Sequence, residues 1–243
     1  VFTPSGEQHT LDTVPDFNIG WQDARHWNTS RQQAVLKSLR ESLSHRVSNA
    51  SQWPLFDIQA CVLSDEKIRF CFSFDLLIAD LWSVLIFFRE WQQLYQTPEQ
   101  PLPVLDINFR DYVLAESQLQ KSPTWQADWQ YWLLRLESLP PAPALPQVMA
   151  AESLQQPRFQ RFAGELAASD WQRLQERARD AGITPSMILC AAYAEVLAVW
   201  SESSDFCLNV TLFNRWPMHA SVNQLIGDFT ALELLAVSLD YEQ

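Results

Sequence analysis

Between residues 56 and 74 apolar side chains fall on alternate positions. Phe56, Ile58, Ala60 and Val62 come first; past the SDEK stretch at 64–67 come Ile68, Phe70, Phe72 and Phe74. A period of two belongs to a strand with one buried face. The stretch therefore predicts two strands joined by a turn, with one face aromatic, running straight into Asp75. From residue 80 the period lengthens. Leu81, Val84, Leu85, Phe88, Trp91 and Tyr95 fit a helix with a broad apolar face. Asp80 stands where a carboxylate can accept the first free backbone N–H groups. Upstream, Val35, Leu36, Leu39 and Leu43 predict a helix over 30–45 with Ser30 as candidate cap. Downstream, one helix is predicted near 109–120. Another follows Ser122, which caps it, with Pro123 at the first helical position.

The pattern then breaks. Five prolines fall within 140–157, and neither a helix nor an inner strand survives that density. A linker is expected over 139–157, dividing the chain into 1–138 and 158–243. Beyond it RFQRFAGEL (158–166) reads as a strand. SDWQRLQERARDAG reads as a helix with Ser169 and Gln172 as a capping box and Gly182 as its stop. The apolar run after Thr184 and Pro185 reads as a buried helix, and FCLNVTLFN and DFTALELLAVSL as strands. No short solenoid repeat is present. Each half mixes strands with helices, so the expected class is α/β with two similar lobes.

Composition narrows the function. The 243 residues are 47% hydrophobic with 11 Trp and 14 Phe, a globular make-up. A net charge of -12 disfavours both nucleic acid and an anionic membrane surface. Cys61, Cys71, Cys190 and Cys207 are scattered in apolar contexts with no CxxC pair. They read as buried thiols of a cytosolic protein, a secreted disulfide framework being the alternative. Asp75 and Asp80 interrupt the apolar run from 70 to 88, so it is not a membrane span. The chain begins at Val1 and ends in AVSLDYEQ, and both ends read as cut from a longer polypeptide.

Two stretches carry polar groups in apolar surroundings. In FSFDLLIADLWS, Asp75 is either a turn residue or a site residue. Asp80 is a helix cap or an ion-pair partner, and Ser83 lies one turn on. A buried carboxylate must be paired, hydrogen-bonded or protonated. In the second stretch, 208–232, Asn209, Thr211 and Phe213 share one face of a strand, and Asn214 and Arg215 sit at its end. Asn209 and Thr211 either face solvent at an edge or line a site. Arg215 is the candidate counter-ion for Asp80 or Asp75. Asp228 and Thr230 belong to a Gly-Asp turn before a strand. The four histidines have no ligand or triad spacing, and no phosphate loop or zinc pattern is present.

Taken together, these stretches resemble the heterocyclization domains of nonribosomal peptide synthetases. Asp75, Asp80 and Ser83 fall on the three fixed positions of the family's DxxxxDxxS motif. FRDYVLAE (109–116), LPPAPALP (139–146), the segment 182–201, LNVTLFNR (208–215) and GDFTAL (227–232) match in family order. The wider condensation superfamily carries HHxxxDG at the first of these places. Here Asp75 and Leu76 stand at the two histidine positions, so a histidine base is missing and a plain amide-forming domain is disfavoured.

The resemblance implies two chloramphenicol-acetyltransferase-like lobes in a V with a tunnel between them, joined near 139–157. It implies further segments before Val1 and after Gln243, so that this stretch alone is expected to be inactive. Asp80 is implied to form a structural ion pair with arginine. Asp75, Asp80, Ser83, Asn209 and Thr211 are the implied catalytic set, with Asn214, Arg215, Asp228 and Thr230 lining the tunnel and no metal. The implied reaction joins a carrier-bound acyl group to carrier-bound cysteine, serine or threonine. Ring closure and water loss then give a thiazoline or oxazoline. Amide formation without ring closure, or a non-catalytic carrier-docking module, are the alternatives. Within the family the flanking text is nearest to siderophore synthetases of the yersiniabactin or pyochelin sort, with cysteine cyclised. No cofactor is implied within the domain. The phosphopantetheine arms belong to partner carrier proteins, an adenylation domain adjoins, and the location is cytoplasmic.

Overall fold

The computed structural model describes residues 1–149, 153–155 and 158–239. It is α/β. Two compact units interleave along the chain, 1–116 with 213–230, and 117–212 with the segment from 231.

The first unit is built on a three-stranded sheet. β1 (Gly20–Asp23) pairs parallel with β2 (Phe56–Ser64), and β2 pairs antiparallel with β3 (Lys67–Phe74). The hairpin register sets Phe56 opposite Phe74, Ile58 opposite Phe72 and Ala60 opposite Phe70, so the alternating apolar set shares one face as predicted. Helix α2 (Leu81–Gln96) covers that face with Phe87, Phe88 and Trp91, whose rings meet Phe72 edge-on at 4.8–6.2 Å. Helix α1 (Thr29–Ser44) lies on the other face. There Gln32 donates to the Leu63 carbonyl, and the Leu43 carbonyl accepts from the Ser73 hydroxyl. Its cap is Asn28, which accepts from the Arg31 N–H, and not Ser30. β1 has no counterpart in the sequence reading, because four residues are too few to show a period. Helix α3 (Phe109–Leu119), as far as Glu116, and the 213–230 segment complete the unit.

The second unit holds α4 (Pro123–Arg135), α5 (Ala168–Asp180), α6 (Pro185–Trp200), and most of β4 (Asp205–Phe213) and β5 (Thr230–Ser238). Ser122 caps α4 and Thr184 caps α6, as the sequence indicates. β4 and β5 form a two-stranded sheet. The Asn214 N–H bonds to the Phe229 carbonyl at one end and the Leu239 N–H to the Ser204 carbonyl at the other, so the strands run antiparallel. No helix or strand interrupts 139–149, where the Pro141 carbonyl accepts from the Cys207 N–H of β4. Residues 150–152, 156 and 157 of the expected linker lie outside the described residues.

Four expectations are corrected. Residues 158–166 form no strand: Phe159 and Phe162 stand exposed, and no strand among the described residues pairs with them. Ser169 is not the cap, because α5 starts two residues earlier than a Ser169 cap requires, after Ala167. Helix α6 is apolar all round but not buried. Its Cys190, Ala194, Leu197 and Ala198 pack on Phe206, Leu208 and Val237, while Val199 and Trp200 face outward. A two-stranded sheet offers it only one packing surface. Of the four thiols, all free, only Cys61 is buried. Among the described residues no single helix is long and apolar enough to cross a membrane.

Candidate functional site

The site in the first unit forms where α2 begins. Asp80 accepts from the Ser83 N–H at 2.7 Å, the capping bond that ends the chain's extended run and starts the helix. Its side chain is fully buried, and Arg215 arrives from 135 residues away to neutralise it. The Arg215 Nη2 donates to Asp80 Oδ1 at 2.9 Å, to Oδ2 at 3.2 Å and to the Ser83 hydroxyl at 2.9 Å. Nη1 donates to the Val222 and Leu225 carbonyls, and the guanidinium lies 3.8 Å from the Phe229 ring centre. Four of the five guanidinium protons can thus be used, and Nε is buried without a partner among the described residues. The choice left open by the sequence resolves to Asp80 as the partner of Arg215. Asp75 is only half-buried; its carboxylate accepts from the Leu77 N–H at 3.1 Å, forming a local turn.

Ser83 is entirely buried. Its hydroxyl donates to the Gly227 carbonyl at 2.8 Å and accepts from the Gly227 N–H at 3.0 Å. The Asp80 N–H also donates to the Gly227 carbonyl, at 3.0 Å. A Cβ at Gly227 would stand 2.3 Å from the Phe109 ring, so a side chain there would force the ring to shift. From α3, the Tyr112 hydroxyl donates to the Asn214 carbonyl at 2.7 Å and accepts from the Trp216 N–H at 3.3 Å. Burial pushes the Tyr112 phenol up from its ordinary value.

Asn214, Asp228 and Thr230 come together at a polar cavity of about 90 Å³, with Tyr112 and Glu116 on its other wall. Asp228 is exposed, and its carboxylate accepts from the Thr230 N–H. Burial raises the Glu116 carboxyl from its ordinary value. Tyr112, Glu116 and Gly227 were not singled out by sequence reasoning as site residues. The available signal was the spacing 109, 112 and 116, which puts three side chains on one helical face.

Asn209 and Thr211 are on β4 in the second unit, both exposed and both on the strand face opposite Phe206 and Leu208. Asn209 lines a groove of about 430 Å³ whose other walls include Leu139, Pro143, Tyr193, Leu197 and Leu234. It is an apolar recess with few polar groups, the usual make-up of a small-molecule site.

Comparison with known proteins adds the lineage. The Condensation domain family matches residues 8–243. Over 233 residues the chain is 38% identical to bacitracin synthase 1 of Bacillus licheniformis, covering 96% of this chain and 4% of that protein. It is 38% identical over 205 residues to pyochelin synthetase PchF of Pseudomonas aeruginosa, covering 84% of this chain and 11% of that protein. Phenyloxazoline synthase MbtB of Mycobacterium tuberculosis is 35% identical over 243 residues, covering 98% of this chain and 17% of its own length. The chain thus spans a small fraction of these relatives. Among solved structures, the EpoB NRPS cyclization-docking bidomain of Sorangium cellulosum superposes with a TM-score of 0.88 at 38% identity, over 100% of this chain and 49% of that one.

Proposed function

The chain belongs to the condensation-domain family, and from that premise we propose that it works in heterocyclization on a nonribosomal peptide synthetase. The observation that carries the reading is the pair Asp75-Leu76 where the superfamily has two histidines, with Asp80 and Ser83 in register behind it. Relatives named for phenyloxazoline synthesis and for cyclization support it.

In this reading the amine of a carrier-bound cysteine, serine or threonine attacks the upstream acyl thioester. The amide forms and the donor's pantetheine thiol leaves. The side-chain thiol or hydroxyl then adds to the new amide carbonyl. Loss of that carbonyl oxygen with two protons, as water, leaves the C=N bond of a thiazoline or oxazoline. The domain supplies alignment and proton transfer. Phosphopantetheine comes on the partner carrier proteins, with an adenylation domain adjoining. Asp80, Ser83 and Arg215 hold the 214–230 segment against α2. Asn209 and Thr211 are the polar groups assigned to the reacting amide, and Asp75 organises the entry to α2. Two pyochelin synthetases among the relatives support a siderophore as product, and cysteine is taken as the cyclised residue.

The test is intact mass spectrometry of the acceptor carrier protein after reaction with the synthetase module that carries this chain. A product one water lighter than the amide supports ring closure. A product at the amide mass leaves amide condensation as the function.

A further inference from the structure

The proline-rich 139–145 segment is tied to its neighbours in the second unit. The Pro141 carbonyl accepts from the Cys207 N–H of β4 at 2.8 Å, and the Ala144 N–H donates to the Ser201 hydroxyl at 3.1 Å. Pro140, Pro141 and Pro143 each fix their own φ, so the segment is stiff as well as tied. Together with Tyr193 and Leu197 of α6 and Leu234 of β5 it lines the groove of about 430 Å³. The wall at Leu197 and Leu208 is anchored, because both belong to the packing around Phe206. The groove is thus formed in advance of any occupant.

Its chemistry is one-sided. None of the described residues lining it is charged, and the polar side chains on its walls are Asn209, Tyr193 and Cys207. Asn209 and Thr211 share one face of β4, about 7 Å apart along the strand. An amide held by these two side chains therefore has one end against the groove. That amide carries two groups. On its nitrogen is the residue to be cyclised, still tethered to a pantetheine arm whose own amides and hydroxyl need hydrogen-bond partners. On its carbon is the acyl group received from the donor. An apolar groove strips the arm's polar groups of water and returns few partners, whereas an apolar acyl group gains by leaving water. A dry cavity of about 150 Å³ already takes a benzene ring, so the groove has room for an aryl group or a short alkyl chain.

We propose that this groove seats the acyl group delivered by the donor carrier and selects apolar acyl groups, aryl or alkyl, over small or anionic ones. Tyr193 and Leu234 set the selection. The inference rests on the acyl-transfer part of the reading above, with Asn209 and Thr211 at the reacting amide. Tyr193 is 60% exposed and Leu234 42%, so an occupant would bury them, and either can be changed without opening the core around Phe206.

The test is a competition between donor carriers loaded with acetyl, hexanoyl, benzoyl or succinyl groups, using the synthetase module that carries this chain. Amide and ring products are counted together by mass for each acyl group, and thermal midpoints are measured alongside. Wild type is expected to favour hexanoyl and benzoyl over acetyl by about tenfold or more, with succinyl used least. Leu234→Asp should cut the hexanoyl-to-acetyl and benzoyl-to-acetyl ratios by about tenfold, and Tyr193→Ala should cut them by a smaller factor. A wild type that uses all four donors at rates within about twofold overturns the proposal. So do wild-type ratios in both variants, including the case where all rates and the midpoint fall together, which marks a structural role. Products that stop at the amide mass while the ratios shift as expected overturn ring closure and still support the groove as the acyl seat.

Discussion

Ser83 and Gly227, 144 residues apart, grip each other through both backbone groups of the glycine: the serine hydroxyl donates to its carbonyl and accepts from its N–H. Ser83 is a buried clasp between α2 and the segment before β5. Ser83→Ala leaves the Gly227 N–H and one Arg215 proton unsatisfied in a buried place. The expected loss is about 1–3 kcal/mol, read from chemical denaturation.

The Asp80–Arg215 pair lies out of solvent, so removing one partner strands the other. Asp80→Ala or Arg215→Ala alone is expected to destabilise by about 3–5 kcal/mol. The double variant Asp80→Ala with Arg215→Ala should lose less than the sum of the singles. An additive double-mutant cycle would show that the pair does not couple.

Gly227→Ala drives a methyl into the Phe109 ring. The expected cost is about 1–3 kcal/mol. Adding Phe109→Val, which removes the ring, should return part of that loss. A Gly227→Ala protein with an unchanged melting midpoint would contradict the packing described.

Asn209, Thr211 and Asp75 invert this pattern. Asn209 and Thr211 are exposed, and alanine at either should shift stability by about 0.5 kcal/mol or less. Alanine at Asp75 removes one bond to the Leu77 N–H and should cost about 1 kcal/mol or less. If Asn209 and Thr211 serve the reacting amide, their alanine variants fold normally and lose ring product in the carrier-protein mass assay. Normal ring formation in all three would remove them from the site.

Glu116 gives the fold a pH dependence of defined sign. Burial raises its folded value above the unfolded one, so its contribution is fully present below the ordinary glutamate range. That contribution is lost as pH rises through the raised value. Melting midpoints of wild type should therefore fall relative to Glu116→Gln as pH climbs through that window.

Local chemistry was legible in the sequence where a single period or cap decided the outcome. The 56–74 hairpin, the Asp80 cap and the Ser122-Pro123 and Thr184-Pro185 starts all formed as read. What escaped depends on partners far along the chain. The 158–166 segment reads as a strand but finds no neighbour to pair with among the described residues. The four residues of β1 become a strand only because β2 is there to receive them. Helix α6 reads as buried because its sequence is apolar, yet burial requires a surface on both sides. In the site, Arg215 was recognisable as a counter-ion, but the choice of Asp80 over Asp75 needed geometry. Glu116 looked like an ordinary helix carboxylate until the cavity appeared beside it.

The interleaving of the units has a consequence for synthesis. Asp80 enters the growing chain 135 residues before the arginine that neutralises it, and all of 117–212 is made in between. At about 5–20 residues per second that interval is roughly 7–27 s. Throughout it the 213–230 segment is not yet available, and Asp80 lacks the cation that neutralises it in the finished fold. The nascent carboxylate must stay hydrated until then, so the first unit closes late, as one of the last events of making this stretch rather than the first.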